Sequence, residues 1–112
     1  MIVLKTFAIF GVALLGELAG TYAIWRWLRE DAAWGFALLG AAALLGYAAV
    51  QTLQPEESYG RVFAAYAGFF LIGALLWGWL IDGTAPDRYD WIGATIVALG
   101  VLIVLWGRDI FA

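Results

Sequence analysis

Residues 6–25 read TFAIFGVALLGELAGTYAIW, twenty positions that contain one charge, Glu17. Lys5 stands immediately before the run and Arg26 immediately after it. At about 1.5 Å of rise per residue, a helix of this length covers about 30 Å, the hydrocarbon thickness of a bilayer. Lipid offers the backbone no hydrogen-bonding partners, so a run of this kind can span only as a helix. Lys5 ahead of an apolar stretch also suggests a secretory leader. The run is too long for that, holds Glu17, and is followed directly by Trp25, Arg26 and Trp27, so it reads as a retained span.

Three more apolar segments follow. One covers about 32–53 and stops at QPEES, where Pro55 and two glutamates break the pattern. The next covers about 62–81 and ends at DGTAPDRYD, and the last, about 91–106, is followed by Gly107, Arg108 and Asp109. Helices are therefore expected over about 2–28, 32–53, 60–81 and 90–107, in a single four-helix transmembrane domain spanning 1–112. The loops are short, so consecutive helices should be antiparallel neighbours. The expected fold class is an all-α membrane protein with four transmembrane helices. Trp25, Trp27, Trp34, Tyr59, Trp77, Trp79, Tyr89, Trp91 and Trp106 lie mostly at segment ends, where amphipathic rings prefer the membrane interface.

Composition narrows the function. The chain is 65% hydrophobic and 13% charged, against about 25% charged in soluble domains. It has no cysteine and no histidine, so thiolate metal sites, disulfides and imidazole acid/base chemistry are excluded, and no cofactor or metal is expected. A net charge of −3 without a basic block gives nucleic acid no footprint. No second catalytic group sits at the depth of Glu17, so an enzyme is not expected.

The basic residues leave orientation open. Lys5, Arg61 and Arg108 fall on one side of the membrane, and Arg26, Arg29 and Arg88 on the other. At three against three, the positive-inside rule favours neither orientation. Either the topology signal is weak, or the chain inserts both ways round and pairs with its own inverted copy.

Glu17 lies roughly 18 Å along the helix axis from Lys5 and roughly 14 Å from Arg26, close to the bilayer midplane. A charge there costs on the order of 2.5–3.5 kcal/mol even on the gentlest scale, and such groups mark functional sites. No basic residue within the apolar segments is an evident partner, and Arg61 at the mouth of the third is the closest. A carboxylate out of water needs a proton or a cation beside it, and two copies close together would hold their protons as a unit. The alternative is a protonated glutamate that hydrogen-bonds a neighbouring helix and only holds the bundle together. Ala13, Gly20 and Thr21, three or four residues away, predict a small, open face around Glu17. Gly16 and Gly20 form a GxxxG that allows close helix approach.

The other segments carry stripes. Tyr59, Phe63, Tyr66, Phe70 and Trp77 recur at steps of four and three, with Gly73 in the remaining place. Aromatic faces attract organic cations, so Phe63, Tyr66 and Phe70 could line a cation path beside Glu17, with Tyr66 near mid-depth. Ordinary packing or lipid contact would produce the same stripe. Gly93, Gly100 and Gly107 stand seven apart with Val97 and Val104 between them, a flat seam that suits a dimer contact. Gly35, Ala42, Gly46 and Ala49 make a small face on the second segment that reads as packing against a neighbour.

Together, GELAGTYAIWRWLRE (16–30), GRVFAAYAGFF (60–70) and LLWGWLIDGTAPDRYDWIGA (75–94) resemble the small multidrug resistance superfamily, and more closely its YnfA branch, over essentially the whole chain. The resemblance implies a four-helix protomer working as an antiparallel, dual-topology homodimer in the bacterial inner (plasma) membrane. It implies exchange of protons for small cationic or guanidinium-type substrates through a first-helix glutamate, which Glu17 matches. Tyr66 falls where the drug exporters carry a substrate-gating tryptophan, and Gly93 and Gly100 match their dimerisation motif. The polar residues that hold the glutamates in guanidinium exporters have no counterpart in the second segment, where Gln51 lies near the end.

The expectation is a proton-coupled exporter of small organic cations, with Glu17 of each protomer in a shared midplane cavity. Its partners are a second copy, the lipid bilayer and the cation. The rivals are a non-transporting membrane subunit or packing protein, and a channel, which the scarcity of polar residues in the segments disfavours.

Overall fold

The computed structural model describes residues 2–111, which form four α-helices: α1 Ile2–Arg29, α2 Gly35–Gln51, α3 Tyr59–Leu80 and α4 Arg88–Phe111. No strand occurs among the described residues. With 28, 22 and 24 residues, α1, α3 and α4 exceed the span of a bilayer core. The 17 residues of α2 stand at the lower limit of spanning length. Large aliphatic side chains point outward along the helices, with Leu45 74% and Ile96 64% exposed. Surface of that kind is disfavoured in water and ordinary against lipid, and the chain is an all-α, four-span membrane protein.

Two helices, the second and the fourth, depart most from the sequence expectation, each at both ends. The sequence places the start of the second helix at residue 32, and it begins at Gly35. Asp31 takes a left-handed φ of 53°, which aspartate tolerates better than most residues. The Ala32 N–H then donates back to the Arg26 carbonyl at 3.0 Å, so Ala32 and Ala33, though good helix formers, are spent on the reversal. At the other end, Thr52, Leu53 and Gln54 donate to carbonyls three residues back, a tightened last turn before Pro55, which supplies no N–H. The fourth helix, expected from 90 to 107, runs from Arg88 to Phe111. Its start is set by a reciprocal cap: the Asp90 N–H donates to Asp87 Oδ1 and the Asp87 N–H to Asp90 Oδ2, both at 2.9 Å. At its far end, Arg108 Nη2 donates to the Val104 carbonyl at 2.7 Å.

The helices fall into two compact units divided after Pro55, one of α1 with α2 and one of α3 with α4. In the first, the helices run antiparallel and their backbones nearly touch. A Cβ added at Gly40 would stand 2.8 Å from the Gly20 carbonyl oxygen, and one at Gly20 would stand 3.0 Å from that of Gly40. Gly16 meets Ala43 and Tyr47 in the same contact, so the GxxxG of α1 closes on α2 of its own chain. The α2 face in use is Gly40, Ala43, Leu44 and Tyr47. The small face expected on α2 does not meet α1: Gly46 has nothing within 4 Å of its own chain, and Ala42 and Ala49 are exposed.

In the second unit, Gly68 of α3 makes a notch that receives Val97 and Val101 of α4. Trp79 and Trp91 meet edge to face, 6.4 Å between ring centroids, where the two helices approach their connecting loop.

Candidate functional site

Glu17 takes the fourth place in the series Thr6, Phe10, Ala13, Glu17, Gly20, whose steps of four and three define one face of α1. The other four members are buried, and Glu17 is half-buried. Its Oε1 atom is shielded from solvent and finds no hydrogen-bond partner among the described residues. No basic side chain pairs with it there either. The ion pair nearest in sequence is Arg26 with Glu30 at 3.3 Å, at the exposed end of α1. Arg26 and Arg29 also lie over the rings of Phe36 and Trp25, at 5.4 and 4.7 Å. The basic residues at this end are thus held at the helix terminus, and the Glu17 carboxyl group has no counter-charge among the described residues.

The surroundings of Glu17 differ from the open face expected from sequence. Ala13 is fully buried, and Gly20 is closed against Gly40 and Leu44. Thr21 is exposed, and its hydroxyl donates at 2.7 Å to the backbone carbonyl of Glu17, not to the carboxylate. This back-bonding is what a threonine inside a helix does when no better acceptor is offered. Small residues near Glu17 therefore serve helix packing on one side and leave the carboxylate group itself unmet.

The aromatic series on α3 is a continuous ladder. Ring centroids lie 4.6 Å apart from Tyr59 to Phe63, 6.2 Å from Phe63 to Tyr66 and 6.1 Å from Tyr66 to Phe70. Tyr66 is 3% exposed. It stands seven residues into a helix of 22.

The α4 seam divides. Val97 is committed to the Gly68 notch inside the chain, whereas Gly93 and Gly100 have nothing within 4 Å. Gly100 and Val104, with Val97 and Val101, border an open apolar groove of about 400 Å³ between α3 and α4, whose α3 side is Ala64, Ala67, Gly68 and Leu71. Gly68 escapes a reading of the sequence, and Gln51 is legible there only as a polar residue near the end of the second segment. Gly68 is hidden among fourteen glycines and betrayed only by its place opposite valines. Gln51, at the end of α2, is 4% exposed, with neither amide atom hydrogen-bonded among the described residues. A polar residue that closes an apolar run is the signal available for it.

Comparison with known proteins decides the family. Residues 3–109 match the family described as "Uncharacterised BCR, YnfA/UPF0060 family". The chain belongs to the YnfA/UPF0060 family. Among its YnfA/UPF0060 relatives, a UPF0060 membrane protein of Halalkalibacterium halodurans is 52% identical over 88% of this chain and 91% of its own length. The UPF0060 membrane protein YfjF of Bacillus subtilis is 47% identical over 92% of this chain and 94% of its own. One from Herpetosiphon aurantiacus is 46% identical over 96% of this chain and its entire length. All three are named as membrane proteins, in keeping with the helices described above. No solved structure matches the chain.

Proposed function

We propose that this YnfA/UPF0060 protein is a proton-coupled exporter of small organic cations, acting as a homodimer in the bacterial plasma membrane after the manner of the small multidrug resistance superfamily. The observation that carries the reading is Glu17 Oε1, buried near the middle of a membrane helix with no partner among the described residues. Such a group is stable only with a proton or a cation beside it. Protonated Glu17 gives up its proton as the cation arrives, and the carboxylate then holds the cation. Loss of the cation on the far side lets the proton return. The aromatic ladder Phe63, Tyr66 and Phe70 offers ring faces of the kind that attract organic cations.

One protomer is small for a pathway with two gates, and two inverted copies would supply the inverted repeats that larger transporters carry in one chain. The three-against-three division of basic residues suits insertion in both orientations. Gly93, Gly100 and Val104 present a small-residue surface on α4 with room for a second helix.

Proton release on adding organic cations to the detergent-solubilised protein tests the mechanism. Wild type should release protons and Glu17→Gln should release none, while inserting and dimerising as wild type does. Release from both variants would sink the shared-site mechanism. A second reading, a non-transporting packing protein, draws support from the buried Ala13 and Gly20 on either side of Glu17. In that case neither protein releases protons and Glu17→Gln is tolerated.

A further inference from the structure

Gln51 carries an unmet polar demand that the mechanism above does not use. Its carboxamide has two N–H donors and a carbonyl acceptor, and buried groups of this kind are almost always hydrogen-bonded. Here Oε1 and Nε2 are both buried without a partner among the described residues, in a residue only 4% exposed. Its place in the fold is defined. Gly40, Leu44, Tyr47 and Gln51 recur at steps of four and three, and the first three meet α1. Three residues beyond Gln51, Gln54 Nε2 donates to the Thr6 carbonyl at 3.3 Å. The antiparallel register thus sets Gln51 level with Phe10, on the side of α2 turned toward α1. Phe10 shares its α1 face with Glu17, which lies about 10 Å further along that helix.

Apart from Arg26, which pairs with Glu30, the α1–α2 unit thus holds an unmet carboxyl group and, nearer one helix end, an unmet amide. The carboxyl group, on giving up its proton, selects a cation. The amide oxygen can be satisfied by a cation only if that cation brings an N–H. We propose, building on the exporter reading, that Gln51 is a hydrogen-bonding station on the approach to Glu17 that favours organic cations carrying N–H groups over quaternary ammonium ions. A quaternary ion offers no donor and leaves Oε1 unpaired. A site built to hydrogen-bond a substrate N–H discriminates strongly against an analogue that lacks it.

Benzylammonium and benzyltrimethylammonium differ only in N–H against N–CH₃ and make a matched pair of probes. The full-length protein, labelled with ¹⁵N in its glutamine side chains and purified in detergent, is titrated with each. The Gln51 amide signals are identified by their loss in Gln51→Leu. They should shift saturably with benzylammonium and stay in place with benzyltrimethylammonium. No shift with either probe, or the same shift with both, overturns the proposal. Competition binding on Gln51→Leu should show benzylammonium weakened roughly tenfold and benzyltrimethylammonium unchanged within about twofold. Equal weakening would also overturn it. The two readings separate cleanly. A benzylammonium-specific shift without Glu17-dependent proton release removes the exporter mechanism and keeps the station. Proton release without the shift does the reverse.

Discussion

In the α1–α2 unit two glycines, Gly20 and Gly40, face each other and the backbones themselves come into contact. In the α3–α4 unit a single glycine, Gly68, receives the side chains of Val97 and Val101. In the first contact backbone carbonyl oxygens, together with the Leu44 and Ile24 side chains, lie against the positions where side chains would begin. The second is a valine-into-notch fit in which the nearest backbone atom, the Val97 carbonyl oxygen, stands back at 3.6 Å. The chemistry divides along the same line. The unmet polar atoms of Glu17 and Gln51 belong to the tightly closed pair, whereas α3 holds an aromatic ladder and no charged residue from Val62 to Leu80. A polar site in lipid needs its geometry held firmly, and backbone-to-backbone packing is the firmest hold two helices can make.

The comparison can be broken by substitution, and the largest effect is expected at Gly40. A leucine there meets the Gly20 carbonyl and Ile24 at once, and Gly40→Leu should cost about 3 kcal/mol, the upper end of ordinary overpacking. Thermal unfolding in detergent followed by circular dichroism measures it. An unchanged melt would mean the α1–α2 contact is looser than described. Gly68→Leu should cost less, about 2 kcal/mol, since the nearest backbone atom stands 3.6 Å from its Cβ position, against 2.8 Å at Gly40. A larger loss at Gly68 than at Gly40 would reverse the contrast between the two units. The smallest effect on the fold is expected at Gly100, where nothing lies within 4 Å. Gly100→Leu should move the melt by no more than about 0.5 kcal/mol, yet abolish the proposed dimer, as read by cross-linking in membranes. Persistent dimers would place the protomer contact elsewhere than on the α4 seam.

Much of this is legible along the chain. Four apolar runs bounded by Pro55, charges and tryptophans can only be helices in lipid, and the steps of four and three on α3 reappear as a ladder of touching rings. Glu17 is evident as a lone charge in an apolar run. Boundaries are harder to read, because apolar composition does not mark where a chain reverses. Ala32 and Ala33 look helical and are held out by the left-handed Asp31, and the cap made by Asp87 and Asp90 lies in a stretch that reads as loop. The small residues mislead for a related reason. A glycine licenses close approach without saying which helix will come, so the α2 pattern points to Gly46 when Gly40 carries the contact.

The sequence by itself determined that this is a four-helix membrane protein with one carboxylate deep in its first span, because hydrophobic length and backbone hydrogen bonding in lipid admit no other form. Only the tertiary structure decided which glycines close on a neighbour, that Thr21 turns its hydroxyl to its own helix, and that the amide of Gln51 is buried unmet. Those depend on the register between helices, and register is set by side chains meeting across a contact that no local pattern records.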